Sequence, residues 1–188
     1  MYPVVIYCTA IGIYCAFEAR PRPKPRLWIP IGLFSYCLGV TLVYLYLRNP
    51  LFHEIAYGIE VLFYTGYCAV LQVRISRSKP SVYKDMLCLT WHAFFTFLSA
   101  FIIWNIDNVY CDRLRLIRKA APAFIAPLFQ FHALWHIGTG LGCYEAIVYQ
   151  QLLRAVMLGK DHKLRVRYLL GIVPYITCAS TENDRKLK

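Results

Sequence analysis

Charge is scarce in this chain, and negative charge scarcer still. Only 16% of its 188 residues are charged, against about a quarter in a typical soluble domain, and 10 acidic residues stand beside 21 Lys and Arg. That balance excludes an ordinary soluble domain. The basic excess does not make a nucleic-acid surface either, because the Lys and Arg lie in short segments between apolar blocks and form no continuous stripe. Repeats and low-complexity tracts are absent. Eight cysteines occur without a CxxC, so neither a zinc ribbon nor a disulfide framework follows. Six of them fall in apolar blocks, where a thiol behaves as a small hydrophobe. Cys111 falls in a polar stretch and Cys178 follows the last apolar one. HExxH is missing, since Ala133 stands where a zincin has its Glu. The five His include no adjacent pair, which argues against the multiple histidine boxes of di-iron desaturases and hydroxylases. No cleavable signal peptide is evident: Met1–Phe17 has no basic n-region and runs into charge rather than a small-residue cleavage site. An apolar block that opens abruptly at Met1 leads us to expect an N-terminally incomplete chain.

What the sequence has instead is apolar blocks of membrane-spanning length, for which about 20 residues suffice. Five can be drawn: Tyr2–Phe17, Leu27–Leu47, Leu51–Val73, Asp85–Ile106 and Phe124–Leu153. They are separated by a Pro-rich basic turn, by Arg48–Asn49–Pro50, by a basic loop from Arg74 to Lys84 and by a polar loop from Asp107 to Pro122. A last apolar stretch, Leu169–Cys178, is too short to span and is broken by Gly171 and Pro174. The expected fold is all-α, a polytopic transmembrane helix bundle in one domain over residues 1–178, with a polar tail over 179–188. Alternating the loops between two sides puts sixteen basic residues on the side of the C-terminus and five (Arg48, Arg113, Arg115, Arg118 and Lys119) on the other. The positive-inside rule then makes the C-terminus cytosolic, with the cluster Arg113–Lys119 running against it. On the lumenal side Cys111 would meet oxidising conditions and want a partner.

Gln130–Gly142, QFHALWHIGTGLG, organises the chain. His132 and His136 are four apart, so on a helix both rings share a face and can chelate one metal ion. Gly138 and Gly142 repeat the spacing on another edge, where a neighbouring helix can approach closely. A hydrolytic zinc site needs three protein ligands and an open position. His53, near the same membrane side, is a possible third, and His92 a weaker one. Glu60 lies deep in the third block and needs a partner or a proton, and with His53 it is a candidate to line the site, whereas Glu145 packs or lines a polar cavity. Asp107, in Trp104–Asn108 at the expected end of the fourth helix, can line the mouth of a lumenal site, with Asn as the C-terminal cap.

WNIDNVYC (Trp104–Cys111) followed by QFHALWHIGTGLG closely resembles the C-terminal signature of the alkaline ceramidases, particularly the phytoceramidase type. RNPLFHEIAYG (Arg48–Gly58) and YLLGIVPYI near the end are similar to the same family. The resemblance implies a seven-helix membrane hydrolase, in a superfamily with the adiponectin receptors, of which the five helices here match the last five. It implies zinc held by three His, an activated water that attacks the ceramide amide, and release of a sphingoid base and a free fatty acid. It also implies residence in the endoplasmic reticulum and Golgi. Ceramide and the bilayer are the expected partners, with no nucleic acid. His132 and His136 match the family's zinc ligands in the last helix. Neither His53 nor His92 falls at a family ligand position. The third His, a catalytic Ser and a supporting Asp would precede Met1, as would the acidic segment through which the family binds Ca2+. A non-catalytic receptor or scaffold of the same superfamily is the alternative.

Overall fold

The computed structural model describes residues 2–21, 24–161 and 164–178. The tail over 179–188 lies outside the described residues. Five α-helices account for most of the chain: α1 (Tyr2–Phe17), α2 (Trp28–Leu47), α3 (Pro50–Ser78), α4 (Pro80–Ala120) and α5 (Phe131–Met157). A short 3-10 turn, Ala126–Phe129, precedes α5, and a two-stranded hairpin follows it, β1 (Leu164–Leu169) with β2 (Val173–Cys178). The hairpin amends the all-α expectation. Leu164–Leu169 alternates apolar and basic side chains with the period of a strand, and Leu170–Gly171 turns it back with both residues at positive φ.

Helix boundaries follow Pro and Gly more closely than they follow charge. Between Pro80 and Pro122 there is neither residue, so α4 runs for 41 residues, through the segment expected to be a polar loop from Asp107. Its only break is a kink at Tyr110 (φ −114°, ψ 20°). Asn105 caps nothing; its side-chain amide donates to the Phe101 carbonyl inside the helix. Likewise α3 continues through Arg74 and Arg77 to Ser78, where Pro80 stops it and begins α4. Pro122 and Pro127 delay α5 to Phe131, seven residues later than the apolar run suggests, which places His132 in its first turn. At the start of α3, Asn49 Oδ1 accepts from the Leu51 amide at 3.0 Å, with Pro50 at the first helical position. At the end of α5, Gly159 (φ 68°) closes the helix: its amide bonds to Val156 O and that of Lys160 to Ala155 O.

The chain divides into two compact units. The first takes residues up to Met86, Gln150–Val166 and the residues from Ile176. In it α1 packs on α2 and α3, with Ile6, Ala10, Cys37, Val40 and Ala56 buried together. Gln150 donates to Tyr64 Oη (2.9 Å) and to the Gly12 carbonyl (3.3 Å), and Lys79 pairs with Asp161. The second unit is Leu87–Tyr149 with Arg167–Tyr175. Two helices among the described residues are long and apolar enough to cross a membrane, Trp28–Leu47 and Val82–Ala120, and only 17% of the apolar window of each is buried. Val4–Phe17 is a shorter apolar helix. The remaining two carry the polar load: Glu54, Glu60, Arg74 and Arg77 in α3, and two His, Glu145, two Gln and Arg154 in α5.

Candidate functional site

Within the second unit α4 and α5 run antiparallel at close range. The register is set where Gly138 faces Ala100 and Gly142 faces Phe97. A Cβ on Gly138 would lie 2.8 Å from the Ala100 methyl, and one on Gly142 would lie 2.7 Å from the Phe97 ring. The glycine edge expected to admit a neighbouring helix therefore admits α4. This register sets Asp107 beside His132 at one end and His92 beside Glu145 at the other.

At the first end His132 Nδ1 stands 3.5 Å from Asp107 Oδ2. The His132 and His136 rings meet edge-on with centroids 4.9 Å apart, as two imidazoles on successive turns of one helix face should. Trp135 stands against both, at 5.2 Å from His132 and 4.3 Å from His136, and Trp104 of α4 stands 6.0 Å from Trp135. The His132 side chain remains 58% exposed, so the site opens outward. It opens into a cleft of about 350 Å³ lined by Asp107, Cys111, Leu114, Arg115, Arg118, Phe129 and His132. Two arginines of the cluster that runs against the charge rule thus line this cleft. Cys111, expected in a loop with a partner, is a free thiol on α4.

The described residues fit one half of a metal centre. Two imidazoles and a carboxylate on one of them converge, but no set of three His, Cys, Asp or Glu that could hold a metal ion forms among the described residues. His53 and Glu60 belong to the first unit. His53 is buried against Tyr44, ring centroids 5.4 Å apart. Glu60 is buried, and neither of its carboxyl oxygens has a hydrogen-bond partner among the described residues.

At the other end of the α4–α5 pair lies a polar pair not anticipated as a unit. Glu145 is fully buried, and its Oε1 lies 2.9 Å from His92 Nδ1 and accepts from the Thr96 hydroxyl at 3.3 Å. His92, weighed above as a weak metal ligand, is instead the partner of a buried carboxylate. Thirteen residues of α5 separate Glu145 from His132, about 20 Å at 1.5 Å per residue.

Residues 4–177 match the sequence profile of the Ceramidase family. The chain belongs to the ceramidase family. This chain is 35% identical over 173 residues to mouse Alkaline ceramidase 3, covering 92% of this chain and 61% of that protein. It is 27% identical over 175 residues to the Arabidopsis thaliana Alkaline ceramidase, covering 88% and 59%. A shorter likeness, 27% over 119 residues, links it to Alkaline ceramidase YPC1 of Saccharomyces cerevisiae. The chain thus spans about three fifths, or less, of the length of the curated relatives it matches.

Proposed function

We propose that this chain forms part of a zinc-dependent membrane amidase. It would cleave the amide of ceramides, phytoceramides included, to a sphingoid base and a free fatty acid. The observation that carries the reading is the convergence of His132 and His136 on α5 with Asp107 on α4, in a chain of the ceramidase family. Zinc, when bound there, would supply Lewis-acid polarisation and a water of lowered pKa. Asp107, 3.5 Å from Nδ1 of His132, is placed to favour a proton on that nitrogen and leave Nε2 to a metal, the role a carboxylate plays beside a zinc-bound histidine. Trp104 and Trp135 give the centre an apolar wall, and the cleft offers a route to it.

The membrane setting is supported by the outer faces of α2 and α4. An apolar helix in a soluble core is mostly buried, whereas these two leave most of their apolar windows uncovered. Lipid is the solvent that suits them. We place all five helices as spans, the last five of a seven-helix bundle, in endoplasmic reticulum or Golgi membranes with the C-terminus cytosolic. The basic-residue asymmetry supports that orientation.

The test is zinc content and ceramide hydrolysis in detergent for residues 1–188 and for His132→Ala and His136→Ala. Each substitution should remove most bound metal. Unchanged zinc in His136→Ala would overturn the assignment. Since the described residues supply two of three ligands, the chain by itself should turn over slowly, and fast turnover would refute the ligand count. The absence of a three-ligand set among the described residues also supports a second reading, a non-catalytic receptor or scaffold relative. Ceramide binding without metal or hydrolysis would favour it.

A further inference from the structure

We propose that the β1–β2 hairpin is an interfacial finger whose apolar tip enters the bilayer while Arg165 and Arg167 bind the phosphates of anionic phospholipids. Three observations lead there. The first is the tip. Leu169, Leu170 and Ile172 are exposed around Gly171, Leu170 to 89%. Leu170 also holds φ 52°, in the left-handed region. Asn or Gly at that turn position would suit both the backbone and water better than Leu, which is disfavoured on each count. A bulky apolar residue gains from that place only where its side chain leaves water.

The second is charge. Arg165 and Arg167 share the exposed face of β1 with Leu169, and residues 164–178 contain no acidic side chain. From Arg167 to Leu170 is about 10 Å along an extended chain. That matches the ~5–10 Å by which interfacial elements sink into the headgroup and acyl boundary. The face therefore grades from guanidinium to alkyl over the depth through which a leaflet grades from phosphate to hydrocarbon.

The third is place. Tyr168 sets its ring 5.5 Å from that of His92 and donates its hydroxyl to Cys88 Sγ at 3.6 Å, so the hairpin leans on α4 near the start of its long apolar stretch. On that stretch Trp91, Phe94 and Phe95 are exposed. The tip thus joins an apolar surface already suited to lipid. Tyr168, Tyr175 and Trp91 supply the aromatic side chains favoured at a membrane boundary. Anionic lipid satisfies the arginines and the alkyl tip at once, which an aqueous protein partner would not.

The chain is reconstituted in nanodiscs, where both faces are accessible, made of phosphatidylcholine with or without phosphatidylserine. In a background with the native cysteines replaced, thiols are placed at the tip (Leu170→Cys) and on the exposed connection before the hairpin (Lys160→Cys), and modified with a membrane-impermeant maleimide. In anionic discs the tip thiol should react about tenfold more slowly than the control, the factor expected for burying a side chain of this size. Arg165→Gln/Arg167→Gln, or uncharged discs, should restore much of that rate. A bimane on the tip thiol should be quenched by brominated acyl chains, which separates cover by lipid from cover by protein. Equal rates at the two positions, protection without quenching, or protection indifferent to lipid charge and to the arginines would each overturn the proposal. Circular dichroism of every variant checks that its helices are intact.

Discussion

Replacing Gly138 by Ala tests the α4–α5 register directly. The new methyl would sit 2.8 Å from Ala100 Cβ and 3.5 Å from its Cα. Carbon pairs prefer ~3.5–4.0 Å, so the helices must part locally by about 1 Å. Ala100 is buried and its methyl has no rotamer into which to retreat, so the strain falls on the backbones. Overpacking of this kind costs about 1–3 kcal/mol. Gly-to-Ala in a helix returns about 1 kcal/mol through propensity. Gly140, two residues on, has nothing within 4 Å of its would-be Cβ and collects only the return. The propensity contribution cancels between the two variants, leaving Gly138→Ala less stable than Gly140→Ala by about 1–3 kcal/mol. At about 2–4 °C per kcal/mol for a chain of 188 residues, that is a Tm gap of about 2–12 °C at the midpoint. Thermal melts in one detergent measure it. Coincident melts, or Gly138→Ala melting above Gly140→Ala, would refute the packing. The same displacement should draw Asp107 away from His132, so Gly138→Ala should also weaken zinc binding.

Asp107→Asn should lower zinc affinity about 10–100-fold with little change in melting, since it removes a ring-orienting charge and no packing; a competition titration with a chromogenic chelator reads this. Glu145→Ala should destabilise by about 1–3 kcal/mol, because His92 and Thr96 lose a buried acceptor, whereas Glu145→Gln, which keeps a carbonyl oxygen, should lose less; thermal melts rank the two. A glycosylation acceptor placed between Ala121 and Pro127 should be modified in microsomes and one placed after Cys178 should not, and the reverse pattern would invert the orientation.

The pairing of His132 with His136 on one helix face was legible because its signal is local. Two His four apart and two Gly four apart define faces of one helix, and the fold confirms that the glycine face receives a neighbour. Pairing between helices was less legible. Nothing local to His92 or Glu145 says that they meet, since the register comes from contacts at Ala100 and Phe97. The longest misreading concerned α4. The charges from Asp107 to Lys119 suggested a loop, yet charge does not end a helix and no Pro or Gly was present to do so. In the other direction, the apolar run suggested a helix from Phe124, which Pro122 and Pro127 delay to Phe131. The alternation of Leu164–Leu169 was visible in the sequence, but its basic side chains read as the end of a basic segment from Arg154 to Tyr168, with a separate apolar stretch from Leu169.

The α4–α5 pairing also bears on when its own contacts form. Asp107 and His132 lie twenty-five residues apart and face each other across a single helical hairpin, so their contact is a local one. Contacts at short sequence separation form early and fast. At ~5–20 residues per second of synthesis, the ribosome needs only a few seconds to pass from the carboxylate to the imidazole it orients. The Asp107–His132 contact can therefore form during translation, as soon as this hairpin closes and before Arg154 and the β-strands have emerged.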